Sequence, residues 1–160
     1  MTTEKVSAVF LDRDGILSRA IVVNRKSYAP RQLKDFRLLP GARESVSRLK
    51  QAGFIVIVVT NQPDIGNGLI DRNLVETMHE KLRKNTNVDS IYMCPHAQIQ
   101  GCRCRKPKPL MLLEAAKRYE IDLRKSFLVG DRSSDIEAGI SAGCSTIFVN
   151  RNYAESSPKG

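Results

Sequence analysis

Short apolar runs alternate with longer amphipathic stretches along the chain. The first run, residues 6–11, has the continuous hydrophobicity of a buried strand, and a long loop reaching Pro40 follows it. Residues 42–52 put Val46 and Leu49 on one face and Arg and Lys on the other, which predicts a helix that Gly53 can close in a left-handed turn. The run 54–59 is apolar on both faces, as a strand inside a parallel sheet is. A second helix is predicted from about 71 to 84, where Leu74, Val75, Met78 and Leu82 recur at helical spacing and Asp71 suits the N-cap. Beyond it the pattern predicts a strand at 90–93, a Cys-rich loop, a helix over about 109–119, a strand at 127–129, a short helix over 134–142 and a strand at 146–149.

Five strands alternating with four helices, joined by crossovers long enough for parallel connections, predict an α/β fold: a three-layer, Rossmann-like arrangement with a central parallel sheet. Residues 1–150 are expected to form a single domain, and 151–160, rich in Asn, Ser, Pro and Gly, a loose tail. Sheets of this kind bind ligands at the carboxyl ends of their strands. The chemically suggestive residues fall there: Asp12 and Asp14 after the first strand, Thr60 and Asn61 after the second, Lys106 after the third, and Asp131 after the fourth.

Composition narrows the field. Charged residues make up 27% of the 160 and hydrophobic ones 41%, with no low-complexity tract and no repeat. The N-terminal MTTEK has no signal-like apolar core, and the run 54–59 is far too short to span a bilayer, so a soluble, cytoplasmic, monomeric protein with no membrane association is expected. A formal net charge of +9 favours anionic partners. Phosphorylated small molecules and nucleic acid both fit that charge, but aromatic residues are only 6%, Trp is absent and Lys and Arg are dispersed, leaving little with which to read bases. Three of the four cysteines, Cys94, Cys102 and Cys104, fall within eleven residues together with His96. Three thiolates and one imidazole complete a tetrahedral Zn2+ shell with no open position, which points to a structural ion that staples the loop and fixes the following Arg105 and Lys106. Cys144 suits a small buried site, and His79 a partly exposed place on its helix.

The segment LDRDG, residues 11–15, carries two carboxylates. In extended backbone residues i and i+2 point the same way, so Asp12 and Asp14 can face one pocket while Arg13 points elsewhere and Gly15 permits a sharp turn. Taken alone, Asp and Gly at a strand end are also ordinary turn composition. Together with VVTNQ at 58–62, CRKPKP at 104–109 and VGDRSSDIEAG at 129–139, in this order, the chain resembles the haloacid dehalogenase superfamily of phosphatases over nearly its whole length. The resemblance implies that Asp12 attacks phosphorus and Asp14 acts as general acid and base. It also implies that Asp12, the Asp14 backbone carbonyl and Asp131 bind Mg2+, whose charge lets a phosphate dianion approach a carboxylate. Thr60, Asn61 and Lys106 would then hold the phosphoryl oxygens, and Asp135 would position the magnesium shell or cap its helix.

Within that superfamily a zinc loop of this pattern resembles two groups without a cap domain, the D-glycero-D-manno-heptose 1,7-bisphosphate phosphatases and the histidinol-phosphate phosphatases. About 45 residues separate Asp14 from Thr60, and a similar number separate Thr60 from Lys106, which leaves no room for a lid. LLPGA at 38–42, the Gln62, Ile65, Gly66 and Gly68 pattern and CRKPKPLM favour the heptose group. Removal of the C7 phosphate in nucleotide-activated heptose biosynthesis is therefore the expected reaction, with Gln62, Arg105 and Arg132 binding substrate. Histidinol-phosphate phosphatase and nucleic-acid 3'-phosphatase are the alternatives. The chain departs from the heptose pattern at Pro63-Asp64, at Asn67, at Leu110 and in a longer loop from 18 to 30.

Overall fold

Five of the apolar runs hydrogen-bond side by side into one sheet. In the computed structural model, which describes residues 3–158, the chain passes through β1 (Ala8–Leu11), a hairpin of β2 (Ile21–Val23) and β3 (Lys26–Tyr28), α1 (Ala42–Gln51), β4 (Ile55–Asn61), the single turn α2 (Pro63–Gly66), α3 (Arg72–Thr86), β5 (Ser90–Cys94), α4 (Leu110–Tyr119), β6 (Phe127–Gly130), α5 (Ser133–Ala142) and β7 (Ser145–Phe148). The strand order is β5-β4-β1-β6-β7. Every pairing in it is parallel, with Val9 of the central strand opposite Val56 on one side and Phe127 on the other.

Side chains alternate between the two faces of these strands, and each face has its own core. Ala8, Phe10, Ile57, Val59 and Leu128 pack against Leu112, Ala115 and Ala138 from α4 and α5. Val9, Leu11, Val56 and Val58 pack against Val46, Met78 and Leu82 from α1 and α3. Both faces of β1 and β4 are thus covered, which explains their unbroken apolar runs. Full burial of a Val, Leu, Ile or Phe side chain contributes roughly 1.5–3 kcal/mol each, so the sheet is a rigid platform for what its strand ends carry. Among the described residues no separate lid covers that edge, since the stretch between β1 and β4 holds only the hairpin, a 3-10 turn and α1.

The structure departs from the expected elements in four places. The long loop after β1 contains the antiparallel β2–β3 hairpin. Its strands have three residues each, too few for a legible alternation, and its turn residues Asn24 and Arg25 both take positive φ, 49° and 60°, as a tight hairpin turn requires. Helix α2 was not expected at all. His79 is not partly exposed: it is 2% exposed, because it shares the inward stripe of α3 with Val75, Met78 and Leu82. The described residues after β7 have no regular structure, yet they are tied down. Arg151 donates to the Gly15 carbonyl, Ala154 N–H donates to the Arg25 carbonyl, and Tyr153 reaches Asp131. Asp71 caps α3 as expected, its carboxylate accepting from Asn73 N–H at 2.7 Å.

Candidate active site

The carboxyl ends of β1, β4 and β6 and the loop after β5 face one cleft of about 550 Å³, lined by Asp12, Asp14, Asn61, Arg105, Lys106 and Arg132 among others. Lys106 lies at its base. Its Nζ donates to Asp12 Oδ1 at 3.0 Å, to the Val59 carbonyl at 2.7 Å and to Asp135 Oδ1 at 2.6 Å, with all three side chains buried. Burial works against the ammonium, but the two carboxylates outweigh it and hold the Lys106 pKa above its ordinary value. Asp135 also accepts from the Asp131 and Arg132 backbone N–H groups through Oδ2, so it caps α5 while pairing with Lys106.

Asp12, Asp131 and Asp135 offer carboxylate oxygens within 4.8 Å of one another. Such crowding is costly without a cation. Burial, followed by repulsion from Asp135, raises the pKa of Asp12 against the opposing effect of Lys106. Burial and the Asp12 carboxylate push Asp131 up to about 8. Asp131 Oδ2 accepts from the Tyr153 hydroxyl at 2.6 Å, whereas Oδ1 is buried with no hydrogen-bond partner. Hard oxygen donors, excess negative charge and an orphaned oxygen fit a small divalent cation.

Asp14 is held from three sides. Arg13 is fully buried and turns back beneath the loop instead of pointing away, with Nε and Nη2 on the Asp14 carboxylate at 3.1 and 2.9 Å. Ser18 Oγ and Gln62 Nε2 donate to the same carboxylate at 3.1 and 3.0 Å. Behind Arg13 lie the Phe36 ring, 5.2 Å from the guanidinium carbon, and His79, whose Nε2 is 3.1 Å from Nη1. Burial and the neighbouring Arg13 lower the His79 pKa to about 3, so it stays neutral and can accept from the guanidinium.

Thr60 is buried and its hydroxyl accepts from Gln62 Nε2 at 2.9 Å. The Asn61 carboxamide, expected to hold a phosphoryl oxygen, bonds the Lys106 backbone through one donated and one accepted hydrogen bond. Arg132 pairs with Glu155 at 3.1 Å, and Arg31, which also lines the cleft, pairs with Asp64 at 3.0 Å. Arg105 keeps a buried Nη1 with no partner. Sequence reasoning missed Ser18, Arg31, Tyr153 and Glu155. Each sits in irregular backbone where no periodicity marks which way a side chain points.

Cys94, His96, Cys102 and Cys104 converge as spaced in the sequence. Cys94 Sγ lies 3.5 Å from Cys102 Sγ and 3.4 Å from His96 Nδ1, His96 Nδ1 lies 3.2 Å from Cys104 Sγ, and the two remaining thiols are 3.8 Å apart. A tetrahedral shell with Zn–S bonds of ~2.3 Å has S···S edges of about 3.8 Å, so the four donors match that shell. The loop also braces α2. A Cβ on Gly66 would lie 2.3 Å from the Ala97 nitrogen, and Asn67 Nδ2 donates to Gln98 Oε1 at 3.0 Å.

A HAD-hydrolase-like family model matches residues 103–157. The D-glycero-β-D-manno-heptose-1,7-bisphosphate 7-phosphatase of Helicobacter pylori J99 is 39% identical over 148 residues, covering 89% of this chain and 80% of that one. The chain belongs to the haloacid dehalogenase (HAD) family of phosphatases. The 7-phosphatase of Bordetella bronchiseptica is 38% identical over 88% of this HAD phosphatase and 79% of its own length. The crystal structure of the D,D-heptose 1,7-bisphosphate phosphatase from B. bronchiseptica, complexed with magnesium and phosphate, superposes with a TM-score of 0.78 at 34% identity, covering 88% of this chain and 78% of that one.

Proposed function

We propose that this HAD phosphatase removes the C7 phosphate of D-glycero-β-D-manno-heptose 1,7-bisphosphate through an aspartyl-phosphate on Asp12. The reading is carried by one observation: a buried Asp12 carboxylate, held at 3.0 Å by Lys106 and adjoining the orphaned Asp131 oxygen, in a chain 39% identical to an enzyme of that activity.

Asp12, the Asp14 backbone carbonyl and Asp131 would hold Mg2+, which when bound supplies the positive charge that lets a phosphate dianion approach a carboxylate. Asp12 attacks phosphorus with the oxygen that Lys106 leaves available, and the bond from phosphorus to the leaving alkoxide breaks. Asp14 gives that alkoxide its proton, then takes one from the water that hydrolyses the acyl phosphate. Arg13, Ser18 and Gln62 orient Asp14 for both transfers. The Lys106 ammonium and the Thr60 hydroxyl stabilise charge on the phosphoryl oxygens, and removal of one such donor typically costs ~100-fold to 1,000-fold in rate. Arg105, Arg25 and Lys26 are basic groups on the cleft wall available to the remainder of the substrate, Arg132 lines the same wall, and Gln62 acts from beneath it through Asp14 and Thr60. Cys94, His96, Cys102 and Cys104 would hold Zn2+ and so fix Arg105 and Lys106.

Phosphate release from a panel of heptose 1,7-bisphosphates of both anomers, histidinol phosphate and a 3'-phosphorylated oligonucleotide tests the reading. The β-heptose bisphosphate is expected to have the highest kcat/KM, and Asp12→Asn is expected to abolish turnover with an unchanged circular dichroism spectrum. Preference for histidinol phosphate would overturn the substrate, and near-normal turnover by Asp12→Asn the mechanism.

A further inference from the structure

We propose that the C-terminal segment 151–156 is a working part of the active site, in which Tyr153 positions the Asp131 carboxylate for cation binding. The inference rests on the reading of Asp131 as a Mg2+ ligand.

The Tyr153 hydroxyl donates to Asp131 Oδ2 at 2.6 Å and leaves Oδ1 buried and unpartnered. One oxygen of the carboxylate is thereby fixed while the other keeps its lone pairs free for a ligand. A phenol suits this task because it donates a strong hydrogen bond without bringing a positive charge that would compete with the cation. Gly15 makes the arrangement possible. Its φ is +93°, and a Cβ there would sit 1.9 Å from Asp131 Oδ2 and 3.0 Å from the Tyr153 oxygen. The pair therefore occupies space that any other residue would fill.

The rest of the segment clamps Tyr153 in place. Arg151 donates to the carbonyl of the same Gly15 through Nη2 at 2.9 Å and Nε at 3.2 Å. Ala154 N–H donates to the Arg25 carbonyl at 2.7 Å, and Arg25 Nε returns a bond to the Asn152 carbonyl at 3.2 Å, which binds the hairpin tip to the segment. Glu155 pairs with Arg132, and the Ser156 carbonyl accepts from Ser133 Oγ at the start of α5. These contacts join the β1 loop, the hairpin and the N-terminus of α5 around one phenol. Groups that orient a metal ligand in this way typically account for ~10-fold to 100-fold in metal affinity or activity.

The test compares full-length wild type with Tyr153→Phe, a change that deletes only the hydroxyl. Mg2+ alone is titrated into the metal-stripped proteins by calorimetry, thermal midpoints are read with EDTA and with Mg2+, and kcat and KM for the phosphate ester are measured at saturating Mg2+. The expected result is Mg2+ binding weakened by about 10-fold or more, a smaller Mg2+-induced rise in midpoint, and an unchanged KM. Equal Mg2+ affinity in the two proteins would overturn the proposal while leaving Asp131 as a ligand. Failure of the wild type itself to bind Mg2+ would overturn the ligand assignment and this inference together.

Discussion

Asn61 and Lys106, 45 positions apart in the chain, are joined by two hydrogen bonds of 3.1 Å: the Asn61 carboxamide donates to the Lys106 carbonyl and accepts from the Lys106 N–H. A side-chain amide that satisfies both polar groups of one peptide residue fixes that residue as a neighbouring strand would. The Lys106 ammonium can then meet Asp12, Asp135 and the Val59 carbonyl at once.

Asn61→Ala should therefore lower turnover by displacing Lys106. A misplacement of ~1 Å at a reacting group costs on the order of 100-fold, and loss of two part-buried hydrogen bonds should lower stability by about 1–3 kcal/mol. Asn61→Asp retains an acceptor for the Lys106 N–H but no donor for its carbonyl, and should fall between. Steady-state kinetics and urea unfolding of the three proteins check this. Wild-type kcat in Asn61→Ala would show that the clamp has no catalytic consequence.

The legible parts of this site are those that sit at the ends of legible strands. Asp12, Thr60 and Asp131 each terminate an apolar run, and a parallel sheet brings such ends together whatever the loops do. Lys106 was reachable because it follows the third strand in the CRKPKP segment, 104–109. The bond between the Asn61 carboxamide and the Lys106 backbone was not legible, because spacing locates a side chain but does not say which neighbour satisfies it. His79 was misjudged because an imidazole is polar by type, while position 79 lies on the buried stripe of α3 and Arg13 supplies a partner there. Tyr153 was invisible because the polar composition of its segment resembles a free tail, and it is long-range contacts with Gly15, Arg25, Asp131, Arg132 and Ser133 that give that segment a fixed path.

The thiol cluster makes a separate prediction. Burial raises the Cys94 thiol to about 12; at Cys102 burial acts in the same direction, but hydrogen bonds from the Arg105 backbone and from the neighbouring thiols bring it down to about 6. Thiols that share protons so unequally are suited to a cation that deprotonates them all. Elemental analysis after dialysis should find about one Zn2+ per chain, and Cys104→Ser should lower zinc content, thermal midpoint and kcat together because Lys106 follows the loop directly. A zinc-free protein of wild-type stability would refute the assignment.

The Arg13–His79 contact predicts a pH dependence of stability. The His79 imidazole titrates near 3 in the folded chain against an ordinary value of 6.5, so below 6.5 the unfolded chain takes up a proton that the folded chain refuses. Stability from this residue is complete above 6.5 and is lost as pH falls toward 3, at about 1.4 kcal/mol per pH unit, or about 2 kcal/mol by pH 5. Asp131 acts in the opposite sense in the metal-free protein, since its raised value favours folding as pH falls through 8 toward the ordinary carboxyl range. Wild-type stability alone therefore mixes the two, and a difference between variants separates them. His79→Gln keeps an acceptor for Arg13 but cannot titrate. The stability of wild type relative to this variant, measured by urea unfolding with Mg2+ present, should decline by about 2 kcal/mol between pH 8 and pH 5. A difference that stays constant across that range would place the folded His79 near its ordinary value and remove the neutral imidazole from behind Arg13.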